Sequence, residues 1–288
     1  MTRTVRLAAY ALLLAAGALT IAAPSLSAQL LYSGGQDVVP VFEGWERNAD
    51  GSFNMLFGYF NRNRDEVVDV PVGAANRFEG GEPDRGQPTH FYPSRNRYWF
   101  RVRVPADFGS KELVWTLTSH GRTEHAYATL HPNYASDQSI QQLDIAGINL
   151  WWAEEGVNKA PVVGVEGEAR RHAKVGEPVS LVARVSDDGI PPAPKTARRG
   201  RYAWHGLRVA WFVDRGAAPV TFDPPQFEVY PDPNGNSPWT PGWTAPPIPS
   251  DGRYAAVATF TARGEYVIRV MAHDGGLAAT ADVRVVVE

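Results

Sequence analysis

Short stretches in which apolar and polar residues alternate run along most of the chain. Four of them lie in the second half, at residues 179–185, 207–213, 266–272 and 281–287. Alternation with a period of two predicts β-strands that bury one face. The last two stretches flank His273-Asp274-Gly275-Gly276, whose glycines suit a hairpin turn. Several short strands joined by turns predict a β-sandwich rather than a helical bundle.

The first half shows the same kind of pattern. Apolar positions alternate over residues 53–59, 98–104 and 113–117, and in the second of these stretches Tyr98 shares a face with Phe100. The pattern predicts a second sandwich, of a family that the residues do not identify. Residues 136–143 are compatible with one short helix. The predicted fold class is therefore all-β, with two β-sandwich domains.

The second half also carries an ordered series of short motifs. They are Asn158-Lys159-Ala160-Pro161-Val162-Val163, Gly176-Glu177-Pro178, Val185-Ser186-Asp187-Asp188-Gly189, Val209-Ala210-Trp211, Val220-Thr221-Phe222, Gly264-Glu265-Tyr266 and Asp274-Gly275. In this order they resemble a PKD (polycystic kidney disease) repeat, which is an immunoglobulin-like β-sandwich. The resemblance covers almost the whole second half. This chain departs from the repeat in a longer loop at residues 192–206 and in an insertion at residues 223–254.

The resemblance carries expectations about packing and about function. It implies that Trp211 packs between two sheets and that Tyr266 forms a tyrosine corner, in which the hydroxyl group bonds back to the main chain. It also implies contact with proteins or carbohydrates, display at a cell surface, or a role as a rigid spacer. It does not imply catalysis. Because sandwiches host many functions, these functional expectations rest on analogy.

The N-terminus has the pattern of a secretory signal peptide. Arg3 and Arg6 precede an apolar run at residues 7–23, and small residues follow as far as Ala28. We expect cleavage after Ala28. The alternative is a retained membrane anchor, because the run is nearly long enough to span a bilayer. The predicted organisation is a signal peptide at 1–28, an all-β domain at 29–156 and a PKD-like domain at 157–288.

Composition narrows the compartment and the partners. The chain has 288 residues, enough for two domains, a formal charge of −3 and no cysteine. A mildly negative charge gives no electrostatic reason to bind nucleic acid or an anionic membrane. Without disulfides, stability must come from packed cores and sheets. These features favour an exported bacterial protein, located in the periplasm or at the cell surface.

Three aspartates are candidate ligands for calcium. Asp187 and Asp188 follow the second strand of the PKD-like half, and Asp274 lies in its last hairpin. These loops meet at one end of an immunoglobulin-like sandwich. Ca²⁺ needs several oxygen ligands, so three converging carboxylates could bind it. The alternative is that aspartates in Asp-Gly turns accept hydrogen bonds from nearby backbone amides.

The insertion at residues 223–254 is rich in proline and aromatic residues. Prolines stiffen a loop and reduce the entropy that it loses on binding. Exposed aromatic rings could stack on sugars or anchor a protein partner. Alternatively, the rings pack back onto the sandwich or onto the N-terminal domain. The candidate ligand-binding residues are Phe227, Tyr230, Trp239 and Trp243, and Trp45 is a further candidate for stacking.

Motifs for catalysis and for zinc are missing from the sequence. His120, His125 and His131 do not have the spacing of a structural zinc site. The chain also lacks a nucleophile elbow, a phosphate-binding glycine loop and a dinucleotide fingerprint. Glycosidases need only two carboxylates, and Glu124 or Asp144 could serve as one of them. A hydrolase with an acidic cleft in the N-terminal domain therefore stays an alternative.

The sequence as a whole predicts an exported, non-enzymatic interaction or structural module of the cell surface or periplasm. We expect its partner to be a protein or a cell-surface glycan, bound at the insertion and at the groove between the domains. Calcium is the one cofactor that the residues suggest. Nucleic acid is not an expected partner, and contact with a membrane is expected only through an uncleaved N-terminal segment. The alternatives are a carbohydrate-binding protein that uses exposed tryptophans and a glycoside hydrolase-like enzyme.

Overall fold

The computed structural model describes residues 32–146, 151–193, 205–226 and 248–288. The predicted signal peptide lies outside the described residues. In the first half the strands are β1 Val38–Arg47, β2 Phe53–Asn61, β3 Val68–Asp69, β4 Asn76–Glu79, β5 His90–Phe91, β6 Ser94–Val104, β7 Leu113–Ser119 and β8 Arg122–Ala128. In the second half they are β9 Val162–Val165, β10 Arg170–Ala173, β11 Pro178–Ser186, β12 Arg208–Arg215, β13 Val220–Asp223, β14 Arg253–Phe260, β15 Gly264–His273 and β16 Ala278–Val287.

The α-helix α1 Gln138–Ala146 lies between the two halves and is flanked by the 3₁₀ turns Pro132–Tyr134 and Trp151–Ala153. The sequence predicted a helix over residues 136–143, and the structure confirms its existence with bounds shifted by two to three residues. Within the described residues, no helix has the length and hydrophobicity needed to cross a membrane.

The N-terminal domain packs the sheet β1-β2-β6 against the sheet β4-β7-β8. Aromatic rings fill the space between them. Phe57 stacks on Phe100 with ring centroids 5.4 Å apart, and Trp115 meets the edge of Phe100 at 5.1 Å. Phe78 completes the group, stacked on Trp115. Such ring pairs add to the free energy of burial, and the prediction of an all-β first half is confirmed.

The C-terminal domain is an immunoglobulin-like sandwich. Its sheets have the strand orders β9-β11-β14-β13 and β10-β16-β15-β12, which correspond to the ABED and CFG sheets of a constant-type immunoglobulin domain, with β10 added in parallel to β16. Trp211 is fully buried between the sheets. The Tyr266 hydroxyl group donates a hydrogen bond to the Ala262 carbonyl at 2.8 Å, so the predicted tyrosine corner is confirmed.

A residue near the start of the insertion is hydrogen-bonded to the core of the C-terminal domain. Gln226 is buried, and its Oε1 accepts hydrogen bonds from the Trp211 backbone amide at 2.9 Å and from the Tyr254 hydroxyl group at 3.0 Å. Residues 227–247 lie outside the described residues. The predicted binding residues Phe227, Tyr230, Trp239 and Trp243 all fall there, so their roles stay predictions.

Residues Tyr32–Glu288 form one compact unit that contains both sandwiches. Phe212 and Met271 belong to strands of the C-terminal domain, yet they are part of the hydrophobic core of the N-terminal domain. Both residues lie on the outer face of the β10-β16-β15-β12 sheet. The two domains therefore share buried surface rather than only a linker.

Candidate binding site

A buried hydrogen-bonded cluster joins the two domains. The Trp99 ring lies 4.9 Å from the Phe212 ring, and its Nε1 donates a hydrogen bond to Asp214 Oδ1 at 3.0 Å. Arg269 Nη1 donates to the same carboxylate oxygen at 2.8 Å. Burial raises the pKa of Asp214, although the charge of Arg269 opposes the shift. A buried carboxylate of this kind needs both donors to stay in place.

The edge of strand β12 is closed by the N-terminal domain. The Val213 amide donates to the Tyr92 hydroxyl oxygen at 3.0 Å, and the Thr89 amide donates to the Asp214 carbonyl at 3.0 Å. Arg215 forms a two-pronged ion pair with Asp84, at 2.7 and 2.9 Å. Backbone hydrogen bonds and a bidentate pair resist sliding and rotation. The two domains are therefore joined at several points along this strand.

A wide bulge in strand β6 shapes the surface beside this junction. Phe57 pairs with Phe100 and Tyr59 pairs with Asn96, so Gly58 alone faces the three residues Arg97, Tyr98 and Trp99. Tyr98 has a φ of 51°, a left-handed conformation that is uncommon for a residue with a side chain. A Cβ atom on Gly58 would collide with the Glu43 carboxylate and the Asn96 carbonyl. The bulge therefore requires glycine at position 58.

The bulge corrects one sequence prediction. Alternation placed Tyr98 on the core face with Phe100, but the structure turns its side chain toward helix α1. Its hydroxyl group donates to Asp144 Oδ2 at 3.1 Å, and Arg97 pairs with the same oxygen. Burial and the charge of Asp144 raise the pKa of Tyr98. The extra residues of the bulge break the period of two, which is why the pattern failed here.

The bulge, the helix and the C-terminal domain enclose a groove of about 420 Å³. Residues 98–101 of β6 form its floor, and helix α1 contributes Gln138, Gln141 and Ile145 to one wall. The opposite wall comes from Met271 and from residues 276–280. This volume lies within the range of pockets that bind small ligands. We call this cavity the junction groove.

A fixed set of polar side chains lies in the junction groove. Glu46 Oε1 accepts hydrogen bonds from Arg101 Nε and Asn54 Nδ2, both at 3.0 Å, and its Oε2 accepts from Gln141 Nε2 at 3.2 Å. Burial opposes ionisation of Glu46, but these hydrogen bonds and the charge of Arg101 hold its pKa below the usual range. The Glu46 carboxylate is therefore ionised and held in place by its hydrogen-bond donors.

The backbone of β6 also lines the groove. Strand β6 is the last strand of the sheet β1-β2-β6, so its outer edge has no strand partner among the described residues. The Phe100 side chain is buried in the N-terminal core. Phe100 therefore contributes main-chain atoms to the floor of the groove. Arg269 Nη1 donates to the Trp99 carbonyl at 3.5 Å, and Arg85 Nη2 donates to the Arg103 carbonyl at 3.0 Å. The main chain of Arg101 lies between these two carbonyl groups, each of which already accepts a hydrogen bond from an arginine side chain.

The three predicted calcium ligands accept hydrogen bonds from their own turns. Asp187 Oδ2 accepts from the Gly189 amide, and Asp188 Oδ1 accepts from the Ile190 amide, both at 2.9 Å. Asp274 is fully buried, and its Oδ1 accepts from the amides of Gly276 and Leu277 at 2.6 and 2.7 Å. In the described part of the chain, no three carboxylate or histidine side chains converge into a metal site. Calcium binding stays a prediction.

Asp274 also links the sandwich to the connection between the domains. Asn158 Nδ2 donates to Asp274 Oδ2 at 3.1 Å and to Gln142 Oε1 of helix α1 at 2.8 Å. Burial raises the pKa of Asp274 to about 6, and the charge of Asp187 adds to that shift. The Asp274 carboxylate therefore accepts a hydrogen bond from outside its own hairpin, from the side chain of Asn158.

Other candidates from the sequence have separate partners. His120 Nε2 lies 3.1 Å from Glu66, His125 Nδ1 lies 2.9 Å from the Thr116 hydroxyl group, and His131 Nδ1 accepts from the Asn133 amide. Trp45 packs edge-on against Phe53 at 5.4 Å, and its Nε1 donates to the His131 carbonyl at 2.9 Å. These contacts hold the half-buried Trp45 ring in place, and its role as a stacking platform stays a prediction.

The two carboxylates considered for a hydrolase lie on different elements, Glu124 on strand β8 and Asp144 on helix α1. The Asp144 carboxylate forms an ion pair with Arg97 and accepts a hydrogen bond from the Tyr98 hydroxyl group. Burial raises the pKa of Glu43 despite its ion pair with Arg95 at 2.6 Å, but its side chain is only 5% exposed. The interior of the N-terminal sandwich is filled by aromatic rings. This filled interior counts against an acidic cleft between the two sheets of that domain.

No protein-family model matches the chain, and no curated protein sequence matches it. Among solved structures, a chimeric titin Z1Z2 protein is 12% identical, with 88% of this chain and 98% of that chain covered and a TM-score of 0.23. The adhesin InvE of Yersinia pseudotuberculosis is 8% identical over 88% of this chain and 59% of its own, with a TM-score of 0.25. The D00-D0 domain of intimin is 10% identical over 87% and 100%, with a TM-score of 0.24. Scores this low carry no weight, and the fold assignment rests on the strand order.

Proposed function

We propose that this chain is an exported, non-enzymatic interaction module, with a PKD-type C-terminal domain, that binds its partner in the junction groove. The observation that carries the proposal is the buried, hydrogen-bonded junction between the domains. Trp99, Asp214 and Arg269 lock the junction, so the groove exists before a partner arrives. A preformed site loses little entropy on binding. The N-terminal charge and hydropathy pattern supports export to the periplasm or the cell surface.

The chemistry of the groove favours an extended peptide segment of a partner protein. An exposed strand edge recognises a peptide by main-chain hydrogen bonds, and adjacent side chains select its sequence. The β6 edge at Arg101 offers the first element, and the ionised Glu46 with Gln141 offers the second. Met271 and Leu277 supply an apolar wall for alternate side chains of the peptide.

Blocking the groove tests this proposal. The exposed Thr280 lies at its rim, so Thr280→Trp fills the groove without cutting into the core. We expect peptides selected from a random library on the wild-type protein to lose at least tenfold in affinity for this variant. Thr123→Trp, on the exposed face of β8, is the matched control and keeps wild-type affinity. Equal binding to all three proteins would contradict the assignment of the groove.

Carbohydrate binding is the second candidate, because Glu46, Arg101 and Gln141 are fixed, planar hydrogen-bonding groups of the kind that orient hydroxyl groups. A glycan array separates two versions of it. Glycan binding that is lost in Thr280→Trp assigns sugars to the groove. Glycan binding that survives this change but is lost in Trp239→Ala and Trp243→Ala assigns sugars to the insertion instead.

Calcium binding remains part of the proposal for the loop end of the C-terminal domain. Thermal unfolding in millimolar Ca²⁺ and in EDTA tests it, because a ligand that binds only the folded state raises its melting temperature. We expect a higher midpoint in Ca²⁺, with the difference removed in Asp187→Asn. Identical midpoints would remove calcium from the account of this protein.

A further inference from the structure

A second cavity, of about 400 Å³, lies where the N-terminal domain meets the outer face of the β10-β16-β15-β12 sheet. Its floor is apolar. Val267 and Val286 contribute half-buried side chains from the sheet, and Pro71 and Val72 contribute the facing wall from the N-terminal domain. This surface is separate from the junction groove, with which it shares none of these residues.

Two arginines with the same charge lie side by side at this cavity. Arg170 of β10 and Arg284 of β16 are register partners on parallel strands. Neighbouring strands lie only about 4.8 Å apart, and like charges in facing positions destabilise a sheet. Both side chains are exposed, Arg170 by 61%. The pairing is therefore unfavourable unless counter-charges lie nearby.

The carboxylates nearby supply only part of that counter-charge, although the charge of Arg284 does help to lower the pKa of Asp84. Both oxygens of Asp84 are held by Arg215. Glu265 lies 3.4 Å from Arg170 and is 78% exposed, and pairs of this kind contribute little. The Arg284 side chain has no ion pair or hydrogen bond with any residue that the structure describes. Three guanidinium groups thus face two carboxylates here, in a chain whose overall charge is −3.

We propose that this cavity binds a carboxylate carried on a short apolar group. The carboxylate lies between Arg170 and Arg284, where two guanidinium groups donate charge-assisted hydrogen bonds. The apolar part lies over Val267 and Val286 and removes their half-exposed surface from water. A medium-chain carboxylic acid has this chemistry, and so does the C-terminus of a peptide with an apolar last residue.

Calorimetric titration of the full chain with octanoate tests the site. We expect octanamide, which lacks the charge, to bind about tenfold more weakly or worse, because it cannot accept charge-assisted hydrogen bonds from the two guanidinium groups. The double variant Arg170→Gln with Arg284→Gln loses affinity for octanoate by a similar factor. Arg122→Gln, at an exposed position on β8, carries the same kind of charge change and keeps wild-type affinity.

Two further measurements distinguish a built site from general attraction to positive charge. Val267→Trp fills the apolar floor and abolishes octanoate binding while both arginines remain. Arg284→Gln unfolds at the same temperature as the wild type or above it, because the change relieves repulsion. A peptide that ends in leucine is titrated as the free acid, with its amidated form as the control. Whichever of octanoate and the free-acid peptide binds more tightly identifies the source of the carboxylate. The proposal would be overturned if neither octanoate nor the free-acid peptide bound at 1 mM. It would also be overturned if the affinity for octanoate were the same in the wild type and in the double arginine variant.

Discussion

Trp99 and Asp214 lie 115 residues apart in the chain and are joined by one hydrogen bond of 3.0 Å inside the domain junction. The indole group belongs to the N-terminal sandwich, and the carboxylate belongs to strand β12 of the immunoglobulin-like domain. The groove and the second cavity both lie along the junction that this contact bridges.

Trp99→Phe removes the donor and leaves the Asp214 carboxylate with one partner fewer in a buried place. We expect the free energy of unfolding to fall by about 1–3 kcal/mol, the usual cost of an unsatisfied buried polar group. Urea unfolding followed by circular dichroism measures the change. Trp151→Phe serves as the control, since the Trp151 side chain is 61% exposed and its substitution should be nearly neutral. Equal midpoints for the two variants would show that the bond is dispensable.

Gly58→Ala tests the bulge in β6. The added methyl group meets the Glu43 carboxylate and the Asn96 carbonyl, so we expect a loss of about 1–3 kcal/mol from overpacking. Gly164→Ala in β9 is the matched change, because its new Cβ atom has no neighbour within 4 Å. That control should stay within about 0.5 kcal/mol of the wild type. A Gly58 variant as stable as the Gly164 variant would show that the bulge tolerates a side chain.

Tyr266→Phe removes the hydroxyl group of the tyrosine corner and its hydrogen bond to the Ala262 carbonyl. One hydrogen bond contributes about 1 kcal/mol, so we expect a decrease of that size in the free energy of unfolding. The Tyr127 side chain is 56% exposed on β8, and Tyr127→Phe should leave the midpoint unchanged. The corner would have no energetic role if both variants unfolded alike.

The Asp274 carboxyl group makes stability depend on pH. Its pKa rises from 3.8 to about 6 in the folded state, so the contribution of the protonated form is complete below about pH 4. That contribution is lost as the pH rises through about 6. It amounts to about 3 kcal/mol at most, because each tenfold change in proton affinity corresponds to about 1.4 kcal/mol. Asp274→Asn removes it.

The measurement is the difference in unfolding free energy between the wild type and Asp274→Asn across pH 4–7. This difference should fall as the pH rises. The neighbouring His273 acts in the opposite direction, because burial and the charge of Arg208 lower its pKa to about 3, but it is present in both proteins and cancels. A difference that stays constant across this range would rule out titration of Asp274.

Local patterns predicted the strands well because each strand buries one face. Trp211 and Tyr266 could be placed from their motifs, and the structure confirms the core position of one and the corner of the other. Tyr98 could not be placed, since a bulge changes which face a residue occupies and leaves the composition of the strand unchanged. The periodicity did put Phe212 on the outer face of its strand, and a large apolar ring in that position is the available signal of the junction.

The junction groove was beyond the reach of local patterns. Glu46, Gln141 and Arg101 come from three elements, and only the packing of the helix against the sheet brings them together. The insertion was visible in the sequence as a run of prolines and rings. Its role is still open to the tests above, whereas the residues that enclose the groove had no local signature at all.

The closed edge of β12 has a consequence for the two halves as separate pieces. In the intact chain, Tyr92 and Thr89 occupy the amide of Val213 and the carbonyl of Asp214, and Trp99 covers Phe212. A C-terminal half that is expressed without the N-terminal half would expose the edge of β12 and the apolar side chain of Phe212. Open edges of this type recruit copies of themselves into polymers. The N-terminal sandwich therefore protects the edge of β12 from pairing with another chain.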